Sequence, residues 1–250
     1  MKRLLFLIAV TAIGVGASTQ LAAFVSRDRI LVFSKTAGFR HASIPHGQAA
    51  LMQLGADNGI VVDTTEDAGF FSEEKLNRYG AVIFLSTTLD VLDDEQQVAL
   101  QNFIRNGGGY VGIHAASDTE YGWPWYGRMV GGYFVGHPHI QQAKLDVVDT
   151  SHPSTRHLPE EWIRTDEWYN FDYVNPDVSV LVAIDESSYL VDGQNPGDAY
   201  HPMSWYHEFE GGRVFYTALG HTTESFYEQD FLDHVWGGLR YVLGESVSLE

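Results

Sequence analysis

Gly107-Gly108-Gly109-Tyr110-Val111-Gly112-Ile113-His114-Ala115-Ala116 sets a glycine cluster, a short apolar run and a histidine in direct succession. The residues before it carry the signature of a helix. Asp93 and Gln96 stand at capping-box spacing, Leu100, Phe103 and Ile104 form an apolar face, and Asn106-Gly107 is a stop signal. The run from Tyr110 to Ile113 then predicts a buried strand. Gly107, Gly109 and Gly112 match G-x-G-x-x-G. A dinucleotide fingerprint, however, follows a strand and opens a helix, whereas these glycines follow a helix and enter a strand. NAD is therefore not expected, and neither is flavin. His114 stands just beyond the strand, where open α/β sheets bind their ligands.

The same rhythm holds toward the N-terminus. Ile30-Leu31-Val32-Phe33, Ile60-Val61-Val62 and Ala81 to Leu85 predict strands, and Ile44 to Leu54, with Ala50, Leu51 and Leu54 on one face, predicts a helix. Apolar strands alternating with helices indicate a parallel sheet covered on both faces. The second half departs from this pattern. Residues 117–138, rich in Gly, Trp and Tyr around Trp123-Pro124-Trp125, predict a long structured loop. Ile140 to Val148 and Val178 to Ile184 predict antiparallel strands. Met203 to Phe209 and Arg213 to Ala218 flank Glu210-Gly211-Gly212 as a hairpin. Leu232, Val235, Trp236, Leu239, Val242 and Leu243 give a closing helix its apolar stripe.

Composition narrows the function. The 250 residues include 33 acidic and 15 basic side chains, a formal charge of −18, and no cysteine. Nucleic acid and anionic membrane surfaces are disfavoured by that charge. Without cysteine there is no disulfide framework, thiolate metal site or cysteine nucleophile. Lys2-Arg3, the apolar run Leu4 to Val15 and the small residues after it predict a signal peptide over residues 1–23, cleaved after Ala17 or Ala23. The run is too short for stable membrane insertion, since a spanning helix needs about 20 apolar residues. Residues 24–250 then form one domain of an exported, periplasmic or extracellular protein, whose charge becomes −20 once Lys2 and Arg3 are removed.

Three predicted strands end in histidine. His41 follows the first within Gly38-Phe39-Arg40-His41, His114 follows the middle one, and His221 in Gly220-His221-Thr222 follows the last. Asp118 lies close behind His114. Thr165-Asp166-Glu167-Trp168-Tyr169 sets two carboxylates beside aromatic rings. Two or three histidines with a carboxylate suit Zn²⁺ or a similar divalent ion, and His114, Glu167 and His221 are the expected ligands. No H-E-x-x-H or G-x-S-x-G motif is present, so such a site must be assembled from distant positions. His137-Pro138-His139 and His152-Pro153 read as turn chemistry. Trp123, Trp125 and Trp168 are candidate stacking surfaces for a sugar.

Phe39-Arg40-His41, the glycine-rich strand ending in His114-Ala115-Ala116, and Gly220-His221 together resemble the ThuA-like (trehalose utilisation) family, with similarity running from about Arg29 to Gly244. The resemblance implies an α/β, flavodoxin-like three-layer sandwich of the class I glutamine amidotransferase type, with a mostly parallel central sheet and antiparallel additions in the second half. In amidotransferases a nucleophilic cysteine follows the corresponding strand. Here His114 occupies that region, so amidotransferase chemistry is not expected. A role in sugar metabolism is implied, on glycosides or 3-keto-glycosides. The expected activity is metal-assisted: His114, His221 and Asp118 act catalytically, and Arg40, His41 and the three tryptophans bind a small-molecule carbohydrate. The alternative is a non-catalytic carbohydrate-binding or scaffolding protein on the same fold. The sequence leaves the oligomeric state open.

Overall fold

The computed structural model describes residues 28–194 and 199–245, so the predicted signal peptide lies outside the described residues. The first half alternates β1 (Arg29–Phe33), α1 (Ile44–Asp57), β2 (Val61–Thr65), α2 (Glu73–Leu76), β3 (Ala81–Leu85), α3 (Asp94–Arg105) and β4 (Gly109–Ile113). Next come α4 (Pro124–Val130), β5 (Phe134–Gly136), β6 (Gln141–Val147), β7 (Glu161–Asp166), β8 (Asn170–Phe171), β9 (Ser179–Ile184), β10 (His201–Phe209), β11 (Gly212–Thr217) and α5 (Gln229–Val242). Among the described residues, nine strands make one sheet in the order β2-β1-β3-β4-β11-β10-β9-β6-β7. The first five are mutually parallel and the rest join antiparallel. The order 2-1-3-4 followed by a fifth parallel strand is that of flavodoxin-like folds.

The predicted punctuation is observed. Asp93 accepts a hydrogen bond from the Gln96 amide while the Gln96 side chain accepts one from the Asp93 amide, opening α3. At the other end Gly107 adopts φ +89°. Its amide donates to the Ile104 carbonyl and that of Gly108 to Phe103, the Schellman pattern that favours glycine. β3 and β4 are buried along their whole length, as expected of strands covered on both faces. Gly109 serves the packing: a Cβ there would lie 2.9 Å from Val242, so glycine lets α5 settle on the sheet.

Two expectations need correction. Residues 117–138 are not all loop, because Pro124, with its φ already set, starts helix α4, and Gly131 at φ +99° ends it. The second strand runs Val61–Thr65, later than its apolar triplet, since polar residues are tolerated at the sheet edge it occupies. Among the described residues, no helix is long and apolar enough to cross a membrane.

The core encloses histidines that stay neutral. His234 on α5 donates from Nδ1 to the Ser154 carbonyl, 2.9 Å away, and meets the Thr217 hydroxyl at Nε2. Burial pulls its pKa down to about 3, and burial pulls that of His152 down to about 4. The unfolded chain therefore binds more protons below pH 6.5, and folded stability falls as pH drops from there toward 4. Each such histidine contributes a slope of at most about 1.4 kcal/mol per pH unit. Thermal unfolding between pH 7.5 and 5 checks this: Tm should fall with pH, and His234→Gln should flatten the dependence.

Candidate functional site

The parallel pairing of β4 with β11, Ile113 opposite Thr217, brings both strand exits to one end of the sheet. His114 leaves β4 at φ +53°, a left-handed conformation that non-glycine residues adopt at a cost. Its carbonyl accepts a hydrogen bond from the Tyr216 hydroxyl at 2.9 Å. Its Nδ1 donates to the Ala218 carbonyl at 2.8 Å. That bond fixes the ring and turns Nε2 toward the cluster, the way ligating histidines are oriented by their other nitrogen. The Tyr169 ring lies 4.2 Å from the His114 ring and completes its fully buried setting.

His221 belongs to the turn beyond β11, and Asp166 holds that turn. Its Oδ2 accepts from the Gly220 amide at 2.9 Å and its Oδ1 from the His221 amide at 3.0 Å. Arg164 in turn pairs with Asp166 at 3.0 Å, its guanidinium buried between the rings of Trp162 and Phe231. Asp166 closes β7, so the carboxylate of Glu167 begins where the strand ends. The two neighbouring acids thus divide the work: Asp166 grips backbone, and Glu167 faces the histidines.

Glu167 Oε2 lies 3.0 Å from His221 Nδ1 and 3.5 Å from His114 Nε2, and those two nitrogens are 3.1 Å apart. The second carboxylate oxygen is 3.1 Å from His137 Nδ1. Burial pushes the Glu167 carboxyl up, but the hydrogen bonds and charges of His114 and His221 outweigh it and hold the group well below the usual carboxylate range. His41 packs edge-on against both, its ring 4.7 Å from His114 and 5.1 Å from His221. Burial first, then its histidine neighbours, push it down to about 3. Its Nδ1 is buried without a hydrogen-bond partner, which is costly for a polar atom unless something else occupies that direction. One donor atom from each of His41, His114, Glu167 and His221 lies within 4.8 Å of the others. Tetrahedral coordination at Zn–N and Zn–O lengths spaces ligand atoms by about 3.3 Å. The triangle of 3.0, 3.1 and 3.5 Å fits that spacing, with His41 farther out.

A cavity of about 320 Å³ opens over this cluster, lined by Phe39, His41, Asp118, Phe134, His137, Glu167, Tyr169 and His221. That volume is near the lower end for small-molecule sites. Asp118 sits half-buried in its wall, its carboxyl pushed up by burial against the lowering effect of the Tyr121 hydroxyl.

The structure gathers His41, His114, Asp118, Glu167 and His221 around one space but leaves the other expected residues outside it. Arg40 turns to solvent and forms a two-pronged ion pair with Glu66, at 2.7 and 3.0 Å. Trp168 is fully buried, and Trp125 packs against Phe209. Trp123 stacks on Trp125. As core and helix-start residues the three tryptophans present no face to the cavity, so they are not its stacking surface. His137, Tyr169, Phe134 and Asp166 were not among the expected site residues. His137 was the findable one, as a histidine in a loop with a second histidine two residues on.

Comparisons with known proteins follow the same line. The crystal structure of a ThuA-like protein from Bacteroides uniformis is 26% identical, with TM-score 0.72, over 86% of this chain and 91% of that one. Another, from Parabacteroides merdae, is 19% identical with TM-score 0.71, over 89% and 92% of the two chains. A glutamine amidotransferase from Thermotoga maritima shares the fold at 12% identity and TM-score 0.54, over 88% of this chain and 99% of that one. Comparison with curated proteins returns no match. The family described as "ThuA: Trehalose utilisation" matches residues 29–242. Since that match spans the whole sheet and every histidine of the cluster, the chain belongs to the ThuA family and its role is sugar-related.

Proposed function

We propose that the protein is an exported, metal-assisted enzyme acting on glycosides or 3-keto-glycosides. The observation that carries this reading is the triangle of His114 Nε2, His221 Nδ1 and Glu167 Oε2 at the floor of a small cavity. Two imidazoles and one carboxylate are a donor set for Zn²⁺ or a related divalent ion that keeps an open position, and His41 adds a fourth donor atom within 4.8 Å of the others. When bound, the ion would supply positive charge toward an oxygen on which negative charge develops.

The reaction that suits these groups is elimination. A carbonyl at sugar C3 acidifies the proton on C2. Asp118, whose burial makes it a stronger base than an ordinary carboxylate, accepts that proton. The C–H electron pair becomes the C1=C2 double bond, the C1–O bond breaks, and the departing oxygen leaves as an alcohol after taking up a proton. No oxocarbenium ion forms, and no second acid at glycosidase spacing is required. His221 stays in place because Asp166 fixes its backbone.

Elemental analysis of purified protein should find one divalent ion per chain, and cleavage of methyl 3-keto-α-D-glucopyranoside should stop on chelation and return on adding metal. Unchanged turnover by metal-free protein would remove the metal from the reading. His114→Ala and Glu167→Gln should each lower metal affinity by about a hundredfold or more and abolish cleavage, whereas a mere carbohydrate-binding protein would keep its ligand. Asp166→Asn leaves every donor in place but weakens the grip on Gly220 and His221. Its metal affinity or turnover should fall by about 10–100-fold, and wild-type values would show that this carboxylate is only structural.

A further inference from the structure

The cavity walls differ from its floor. Phe39, 66% exposed, stands at the mouth with its ring 4.8 Å from His41 and nearly perpendicular to it. On the other side the Phe134 ring lies 4.1 Å from Tyr169 and stacks 5.8 Å from His137. His41, Glu167 and Tyr169, which also line the cavity, are by contrast nearly buried. Polar groups stand between these aromatic walls: Asp118, and His137 with its side chain 38% exposed at the rim.

Phe134 and Asp118 are fixed relative to one another. The Tyr121 hydroxyl lies 2.7 Å from Asp118 Oδ1 and 2.7 Å from the Phe134 carbonyl oxygen, so one phenol ties the carboxyl group to the strand carrying the ring. The pairing of β5 with β8, Phe134 opposite Phe171, holds that strand from its other side. An aromatic face and an oxygen acceptor held at constant separation match the two surfaces of a pyranose, an apolar C–H face and a rim of hydroxyls. A cavity of about 320 Å³ takes one such ring beside the cluster, with Phe39 standing at its mouth.

Building on the carbohydrate reading above, we propose that the cavity is a single-ring sugar subsite, walled by Phe134 and Phe39, with Asp118 and His137 addressing the hydroxyls. Whatever is joined to that ring projects past Phe39 into solvent. The protein therefore acts on the terminal ring of a glycoside and tolerates varied leaving groups, a sugar or a simple alcohol alike.

The test compares methyl 3-keto-α-D-glucopyranoside with 3-ketotrehalose. Binding is measured by calorimetry on chelator-treated protein, and KM on protein supplied with Mn²⁺. The two ligands should agree within about threefold in each measurement, because the second ring touches little. Phe39→Ala and Phe134→Leu should each weaken both ligands by roughly tenfold, the upper end for a lost aromatic contact. Titration of Mn²⁺ alone should remain unchanged in both variants. Phe39 is exposed enough that its replacement leaves folding intact, and Phe134→Leu keeps most of the side-chain volume. Wild-type affinity in both variants would overturn the aromatic walls, and a tenfold or greater preference for 3-ketotrehalose would overturn the single-ring assignment. Failure of both ligands to bind or turn over in wild-type protein that still takes up Mn²⁺ would overturn the carbohydrate reading itself, leaving the metal centre standing.

Discussion

The hydrogen bond from His114 Nδ1 to the Ala218 carbonyl joins the exits of two adjacent parallel strands, and the site depends on it. Parallel neighbours release their chains at the same edge, so residues far apart in sequence meet there without any long connection between them. The bond also fixes the orientation of a buried ring and turns its other nitrogen toward the cluster. Tyr216, on the same neighbouring strand, holds the backbone of His114 in its left-handed turn. One strand pair thus determines the position and conformation of the central histidine.

Electrostatics imposes the second condition. Glu167 is a single buried carboxylate facing three imidazoles, with His41 close behind. An isolated buried anion would be expensive, and isolated buried imidazoles would lose their water without replacement. Grouped, they satisfy one another only in part, as the partnerless Nδ1 of His41 records. A carboxylate grouped with several imidazoles is a donor set suited to a cation by its chemistry, whatever the fold around it.

Much of this could be read from the chain. The three strand-end histidines were visible because apolar runs bounded by helix punctuation locate strand exits, and strand exits locate the site. Glu167 was visible as an acid among aromatics, but its division of labour with Asp166 was not, because a carboxylate that binds backbone amides looks in sequence like any surface acid. The tryptophans misled for a related reason. Their crowding suggested an exposed platform, yet Pro124 starts a helix that turns Trp125 inward, and Trp168 is enclosed by the fold. Arg40 was spoken for by Glu66, 26 positions away, a pairing that no local pattern announces. Phe134 sits in a two-strand ribbon too short to predict from alternation.

Glu167 follows β7, the outermost strand of the antiparallel half, four places from β11 in the sheet. His41, His114 and His221 all leave strands of the parallel half. The donor set therefore bridges the two halves of the sheet, and a cation held by all of it at once would tie the far antiparallel edge to the parallel core. Occupancy of the cluster and integrity of the sheet are then linked, because whatever binds only the assembled donors also stabilises the fold that assembles them.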